Sequence, residues 1–536
     1  MRFSRALPAA AAILAVAACS RIGQTSGPSD VLTIALNINP TQLNPILSQN
    51  TIEEFVDGLM FNQLVTQNAQ HQQVADLASA VPSVANGGIS KDGLMITYHL
   101  RHGVRWQDGA PFTSRDVKFT WQAIMNPNNN VVSRRGYDDV AAVDTPDAYT
   151  VVFHIKKIFA PAIDTIFGES DSPYYILPAH LLAKYPNLNQ VPFNANPIGT
   201  GPYKLVRWLR NDRIVVSANP QYFKGAPHIK RLTLLIVPDD NTEGSLVRAH
   251  NVDLAIEISS NLYRDLAGVP GVARRLVDAP LYESVIFNLA RPPLDDLRVR
   301  KALALGFDRP QITRDDTFGT AQLAVADLSP YYWAFDPALK SLPYDLTEAK
   351  ALLDQAGWRM GPRGVRVENG KRLSLQFAYG RGNAFAQIFV VQLQQMYKAL
   401  GVELVLKSYD FATYYAAAQS GGILNGGKFD LGLYAWVAGA DPDDSSQWMC
   451  SAIPPAGNDV TRYCSPEMDD AQRLALSTFD RAVRKKAYAR VQALLLRDVP
   501  AAFMFYPRLR YAHVADLQNF EPNGITEGWN VQDWSR

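Results

Sequence analysis

Lys91-Asp-Gly-Leu-Met-Ile-Thr-Tyr-His-Leu-Arg-His-Gly-Val-Arg-Trp-Gln-Asp-Gly-Ala-Pro-Phe-Thr-Ser-Arg-Asp-Val-Lys-Phe-Thr-Trp121 reads as a strand, a tight corner and the start of a helix. Leu94, Ile96, Tyr98 and Leu100 alternate with Met95, Thr97 and His99, the period of a half-buried strand. Asp108-Gly109 supplies a turn whose positive φ is easy only for glycine. Thr113 or Ser114 then caps a helix, with Asp116 in the first turn, where a carboxylate suits the exposed N–H groups.

The same rules extend in both directions. Residues 31–37 form an opening strand, 39–45 a loop, and 51–64 carry Phe55, Leu59 and Met60 at helical spacing. A helix is expected within 161–185, followed by a Pro/Asn-rich linker over 185–197. Residues 204–210 and 213–218 make a hairpin about Asn211-Asp212. Further strands over 231–237 and 252–256 enclose a helical segment. Beyond Asp278 come strands at 282–288, 373–379, 402–407 and 430–436. Helices are expected after the capping run Pro292-Pro-Leu-Asp-Asp296 and over 347–356, 385–400 and 480–496. Strands alternating with helices define an α/β lobe.

Composition narrows the class. The chain has 536 residues, 52 basic and 51 acidic side chains and a net charge of +1, with no long single-sign block. That argues against a nucleic-acid partner, which calls for a basic patch or stripe. A chain this long, 47% hydrophobic, should divide into two or three lobes. Arg2 and Arg5 precede an apolar run over 6–18 that falls well short of the roughly 20 residues needed to span a bilayer. This describes a secretory signal. Val16-Ala-Ala-Cys19 resembles a bacterial lipobox, whose cysteine would be lipidated and become the first mature residue, with 20–29 as a flexible tether. Cys450 and Cys464 lie close together, and an exported chain can hold such a pair as a disulfide or leave two free thiols.

Gly422-Ile-Leu-Asn-Gly-Gly-Lys428 has the spacing of a phosphate loop but continues into Phe429, where Ser or Thr must ligate magnesium. It also precedes a strand, so a glycine-rich surface turn is the better reading. The histidines include no metal-binding pair at helical spacing, His99 and His102 read as surface or half-buried residues, and no nucleophile elbow appears. Leu431-Gly-Leu-Tyr-Ala-Trp-Val-Ala-Gly-Ala-Asp-Pro-Asp-Asp444 is the strongest candidate for ligand contact: a strand delivers an aromatic plate and then carboxylates. Tyr434 and Trp436 would wall a ligand and Asp441 hold a cation; the alternative is core packing, with Asp443 or Asp444 as a helix cap.

The run 91–121 resembles the pattern Asp-Gly…Leu-Arg-x-Gly-Val-x-x-x-Asp-Gly-x-Pro-x-x-x-x-Asp-Val of the family 5 extracytoplasmic solute-binding proteins, the peptide- and nickel-type receptors of ABC importers. Leu43-Asn-Pro45, Gly199-Thr-Gly-Pro-Tyr203, Asn219-Pro-x-Tyr222, Phe287-Asn288 with Pro293 through Val299-Arg-x-Ala302, and Tyr463-Cys-Ser-Pro466 continue it in order. The resemblance implies a two-lobed α/β fold of the type II periplasmic-binding-protein kind, with an extra subdomain. Residues 1–18 would be the lipoprotein signal, 19–30 the tether, 31–280 lobe 1 with an inserted subdomain near 53–190, 281–504 lobe 2, and 505–536 a return to lobe 1. Closure of the lobes about a two-crossover hinge would enclose the solute. It further implies a monomer without catalysis, cofactor or metal, lipid-anchored outside the cytoplasmic membrane, that hands a peptide-like solute to ABC permease subunits. Trp436, Asp441, Tyr434 and Asn39 are the implied ligand contacts.

The chain departs from that pattern at one point. In peptide-binding members an aspartate three residues after this tryptophan captures the peptide α-amino group, and here that residue is Gly439; the upstream basic residue of some members is Leu433. Either Asp441 substitutes, or the ligand has no free amino terminus. Nickel chelates, oligosaccharides and opine-like compounds are alternative ligands. An anchored hydrolase or a non-transport adhesion or sensory lipoprotein are the rival classes.

Overall fold

The computed structural model describes residues 30–48, 50–382 and 384–536. The signal, Cys19 and nearly all of the tether lie outside them. Leu32, Ile34 and Leu36 of the opening strand Val31–Leu36 are wholly buried. That strand pairs in parallel with Arg231–Ile236 and Leu254–Ala255, and the hairpin Tyr203–Leu209/Arg213–Ala218 extends the sheet outward. Asn211, with φ 59°, makes the hairpin turn.

A second lobe is built on Leu281–Phe287, antiparallel to Leu431–Val437. Ser374–Gly380 runs parallel to both Leu431–Val437 and Glu403–Tyr409. One long strand, Ala501–Val514, joins the lobes: its first residues pair with Leu281–Phe287, and its later ones with Val272–Asp278 and Leu254–Ala255. The chain thus crosses between lobes at 278–281 and again within this strand. Each lobe has its own apolar core, one around Leu32, Ile34 and Tyr511, another around Val285, Phe377 and Leu431.

The quoted stretch sits in a small sheet of Met95–His99, Thr150–Ile155 and Val140–Asp147. Ile96, Tyr98 and Leu100 point into the core as their alternation requires, whereas Leu94 is 37% exposed. Leu94 precedes the first ladder pair and belongs to a turn in which its N–H donates to Asp92 Oδ1 at 3.1 Å. Gly109 has φ 92°, and Thr113 N–H donates to Asp116 Oδ2 at 2.9 Å ahead of the helix Ser114–Met125. The motif Gly199-Thr-Gly-Pro-Tyr203 has a steric cause: a Cβ on Gly199 would lie 1.8 Å from the Met60 carbonyl oxygen, at the end of helix Thr51–Met60.

One expected helix is reduced to two single turns. Between 161 and 185 only Ala162–Thr165 and Ala179–Leu182 are helical. Phe167 takes φ 56°, and Pro173 and Pro178 remove donors, so the chain between the two turns runs as an irregular strap. The run 422–428 is a turn before the strand Leu431–Val437, where Lys428 Nζ donates to the Gly421 carbonyl at 2.9 Å.

Candidate functional site: the interlobe cleft

The two lobes touch along the loop that follows strand Leu431–Val437. Ala440 N–H donates to the Glu169 carbonyl at 2.7 Å, and Arg135 reaches across to Asp443 at 2.5 Å while lying 3.7 Å from Asp171 of its own lobe. Ala160 N–H donates to the Leu476 carbonyl at 2.9 Å, and the Tyr331 hydroxyl donates to Gln67. A cavity of about 930 Å³ lies between the lobes, lined by Gln73, Asp164, Tyr331, Trp333, Arg481 and Arg484 among others.

Gly439 fits this contact because it lacks a side chain. A Cβ there would lie 2.8 Å from the backbone of Ser170 and Asp171 in the other lobe. The place of the family's amino-capturing aspartate is therefore filled by the opposing loop.

The sequence-predicted residues fall into separate settings. Strand alternation puts Tyr434 and Trp436 on one face, opposite Ser284 and Tyr282. Their rings stack with centroids 6.4 Å apart and planes 19° apart; Tyr434 is buried and Trp436 half-buried. Trp436 walls two cavities, one of about 290 Å³ with Tyr415, Tyr434, Asn425 and Asn458, the other a small one beside Asp327 and Asp444. The Trp436 Nε1–H has no acceptor among the described residues. Asp441 is 7% exposed and its Oδ1 accepts from Arg484 Nη2 at 2.6 Å. Arg484 also donates to the Tyr488 hydroxyl at 3.2 Å and to the Ala475 carbonyl at 2.9 Å. The expected cation holder already has a cation, supplied by its own lobe. Asn39 lies in lobe 1, where its Nδ2 donates to Asn211 Oδ1 at 2.6 Å at the hairpin turn; it lines neither Trp436 cavity.

Cys450 and Cys464 are joined as a disulfide with Cα atoms 4.4 Å apart. It fastens the turn Cys450–Ala452 to the N-terminus of helix Pro466–Leu476, where Asp469 Oδ1 accepts from Cys450 N–H at 2.8 Å. His99 and His102 are exposed, the latter tilted against Tyr149 with ring centroids 3.9 Å apart. No group of three or more metal-ligating side chains occurs among the described residues.

Two contributors gave no sequence signal. Arg135 and Arg484 are ordinary arginines until folding sets them against Asp443 and Asp441. Asp327, a lone carboxylate between Ala326 and Leu328, does carry a signal: an acidic side chain inside an apolar run.

Two lobes joined by a double crossover and closing on a shared cleft are the architecture of a type II periplasmic binding protein. The chain belongs to the bacterial extracellular solute-binding proteins, family 5, whose model matches residues 76–456. It is 27% identical over 527 residues to Protein XP55 of Streptomyces lividans, covering 94% of this chain and 90% of the relative. It is 24% identical over 506 residues to the oligopeptide-binding protein AppA of Bacillus subtilis, covering 92% and 89%. Among solved structures, NikZ from Campylobacter jejuni in complex with Ni(L-His) matches with a TM-score of 0.80 at 26% identity, over 95% of this chain and 100% of that one. AppA from Bacillus subtilis with a nonapeptide matches at 0.78 and 22% identity, over 95% and 99%. No helix among the described residues is long and apolar enough to cross a membrane.

Proposed function

We propose that this chain is the solute-capturing subunit of an ABC importer and that its solute is a peptide or peptide-like compound. The observation that carries the reading is family membership together with lobes that meet around a cleft. Relatives named as oligopeptide- and di/tripeptide-binding proteins support the peptide class. A ligand that binds the closed form more tightly than the open one drives closure, and the closed face docks on the permease. No bond is made or broken in that cycle. Cys19 would hold the protein to the outer side of a membrane through lipid, and residues 281–504 would be the lobe carrying Trp436.

Mass spectrometry of whatever co-purifies with the exported protein tests this directly. A peptide is expected, and Trp436→Ala should weaken its binding by about 1–3 kcal/mol in calorimetry without unfolding the chain. A non-peptide solute, or unchanged affinity, rejects the peptide assignment or the placement of the site. The likeness to NikZ, solved with Ni(L-His), favours a nickel–amino-acid chelate as the second reading. Nickel retained after dialysis would establish it.

A further inference from the structure

The acidic run that follows Trp436 is almost entirely accounted for. Asp441 is held by Arg484 at 2.6 Å and Asp443 by Arg135 at 2.5 Å. Asp444 is different. Its Oδ1 accepts from Gln472 Nε2 at 2.6 Å, but its Oδ2 has no donor, and neither carboxylate oxygen of Asp327 has one among the described residues. Asp327 is 3% exposed and Asp444 4%. We propose that Asp327 and Asp444 receive a primary ammonium group of the bound solute behind the Trp436 indole. This rests on the solute-binding reading above and names the chemistry its ligand carries.

Two carboxyls this deeply buried, facing each other with no cation, are costly unless a charge arrives from outside. Burial raises both, and a proton shared between them relieves their mutual repulsion. One negative charge is left without a partner. The cavity they line, about 10 Å³, is bounded by Tyr282, Tyr332, Trp436 and Pro280. That is room for about one water molecule, and an ammonium head is of similar size and donates three hydrogen bonds, as facing carboxylates require. A planar guanidinium does not fit. Aromatic walls add attraction for a cation. Trp436 is also a wall of the cavity of about 290 Å³, which can take the rest of a side chain or a peptide backbone. The loss of the family's aspartate at Gly439 then has a counterpart in two carboxyls beside the same tryptophan.

The ammonium could be an α-amino group or a lysine-type side chain, and the test separates them. Calorimetry would compare Ala-Lys-Ala, Ala-norleucine-Ala and the N-acetylated form of each, on the wild-type chain and on Asp327→Asn/Asp444→Asn. Wild type should lose at least about tenfold in affinity on acetylation or on norleucine replacement, whichever removes the recognised group. The double variant should bind charged and neutral peptides alike. Circular dichroism checks its fold; if it is unfolded, Asp327→Asn alone replaces it. Peptides that bind with less than twofold discrimination overturn the inference and leave the peptide reading standing. If no peptide binds, thermal unfolding with n-butylammonium against n-butanol decides. Stabilisation by the amine alone, lost in the double variant, keeps the ammonium site and rejects the peptide reading; no stabilisation overturns both.

Discussion

A side chain added at Gly439 would collide with main chain of the opposite lobe, so the residue acts on closure rather than on folding. Gly439→Asp should leave the melting temperature near that of wild type while overpacking the closed form, a cost of about 1–3 kcal/mol. Solute affinity should fall accordingly, and small-angle scattering with saturating ligand should report a more open particle. Unchanged affinity and compactness would mean that Ser170 and Asp171 do not meet Gly439 in the bound state. Arg484 lies deeper. Burial and the Asp441 carboxylate act on it in opposite directions, and the net effect holds its charge firmly. Arg484→Met strands a buried carboxylate and should cost roughly 3–5 kcal/mol in urea unfolding, with recovery when Asp441→Leu is added. Trp436 and Tyr434 are legible in the sequence because strand period and aromatic type are local properties. The pairing of Asp441 with Arg484 is not: its partner stands 43 residues away on the helix Arg481–Asp498.

Among the elements, those with a clean period are the legible ones. Leu431–Val437, Ser374–Gly380 and Arg481–Asp498 fall within a few residues of the expected bounds. The strap at 161–185 departs from the expected helix because its apolar residues, such as Ile163, Phe167, Tyr174 and Leu177, are buried by tertiary contact and not by a helical stripe. The disulfide belongs to this scale too. It closes a loop with a sequence separation of 14. Cys450→Ser/Cys464→Ser should therefore lower stability by roughly 3 kcal/mol in the chain-entropy account. Peptide mapping of the unreduced protein should find the two linked.

For the whole molecule, the cleft and cores hold carboxyls whose protonated forms are favoured by folding. Burial and neighbouring carboxylates push Glu54 up to about 8, and burial pushes Glu283 up to about 7. Glu243 is raised to about 8 and Asp459 to about 7 for the same leading reason. The folded chain then holds more protons than the unfolded one between the ordinary carboxyl range and about pH 8, so stability falls as pH rises through that window. His71 and His513, lowered by burial, act oppositely below their ordinary 6.5. The melting temperature should be higher near pH 6.5 than at pH 8.5, and Glu54→Gln/Glu283→Gln should flatten that slope. A melting temperature that climbs from pH 6.5 to 8.5 would contradict it.

The strand Ala501–Val514 is the sheet neighbour that both Leu281–Phe287 and Val272–Asp278 require. It lies late in the given sequence, after every strand it pairs with. Until it is present, each half keeps an unpaired edge, and contacts such as Leu254 with His513 span nearly half of the given chain. A chain ending at residue 500 should remain protease-sensitive throughout. A chain held short of this strand should therefore stay unfolded, the state that passage through a narrow translocation channel requires.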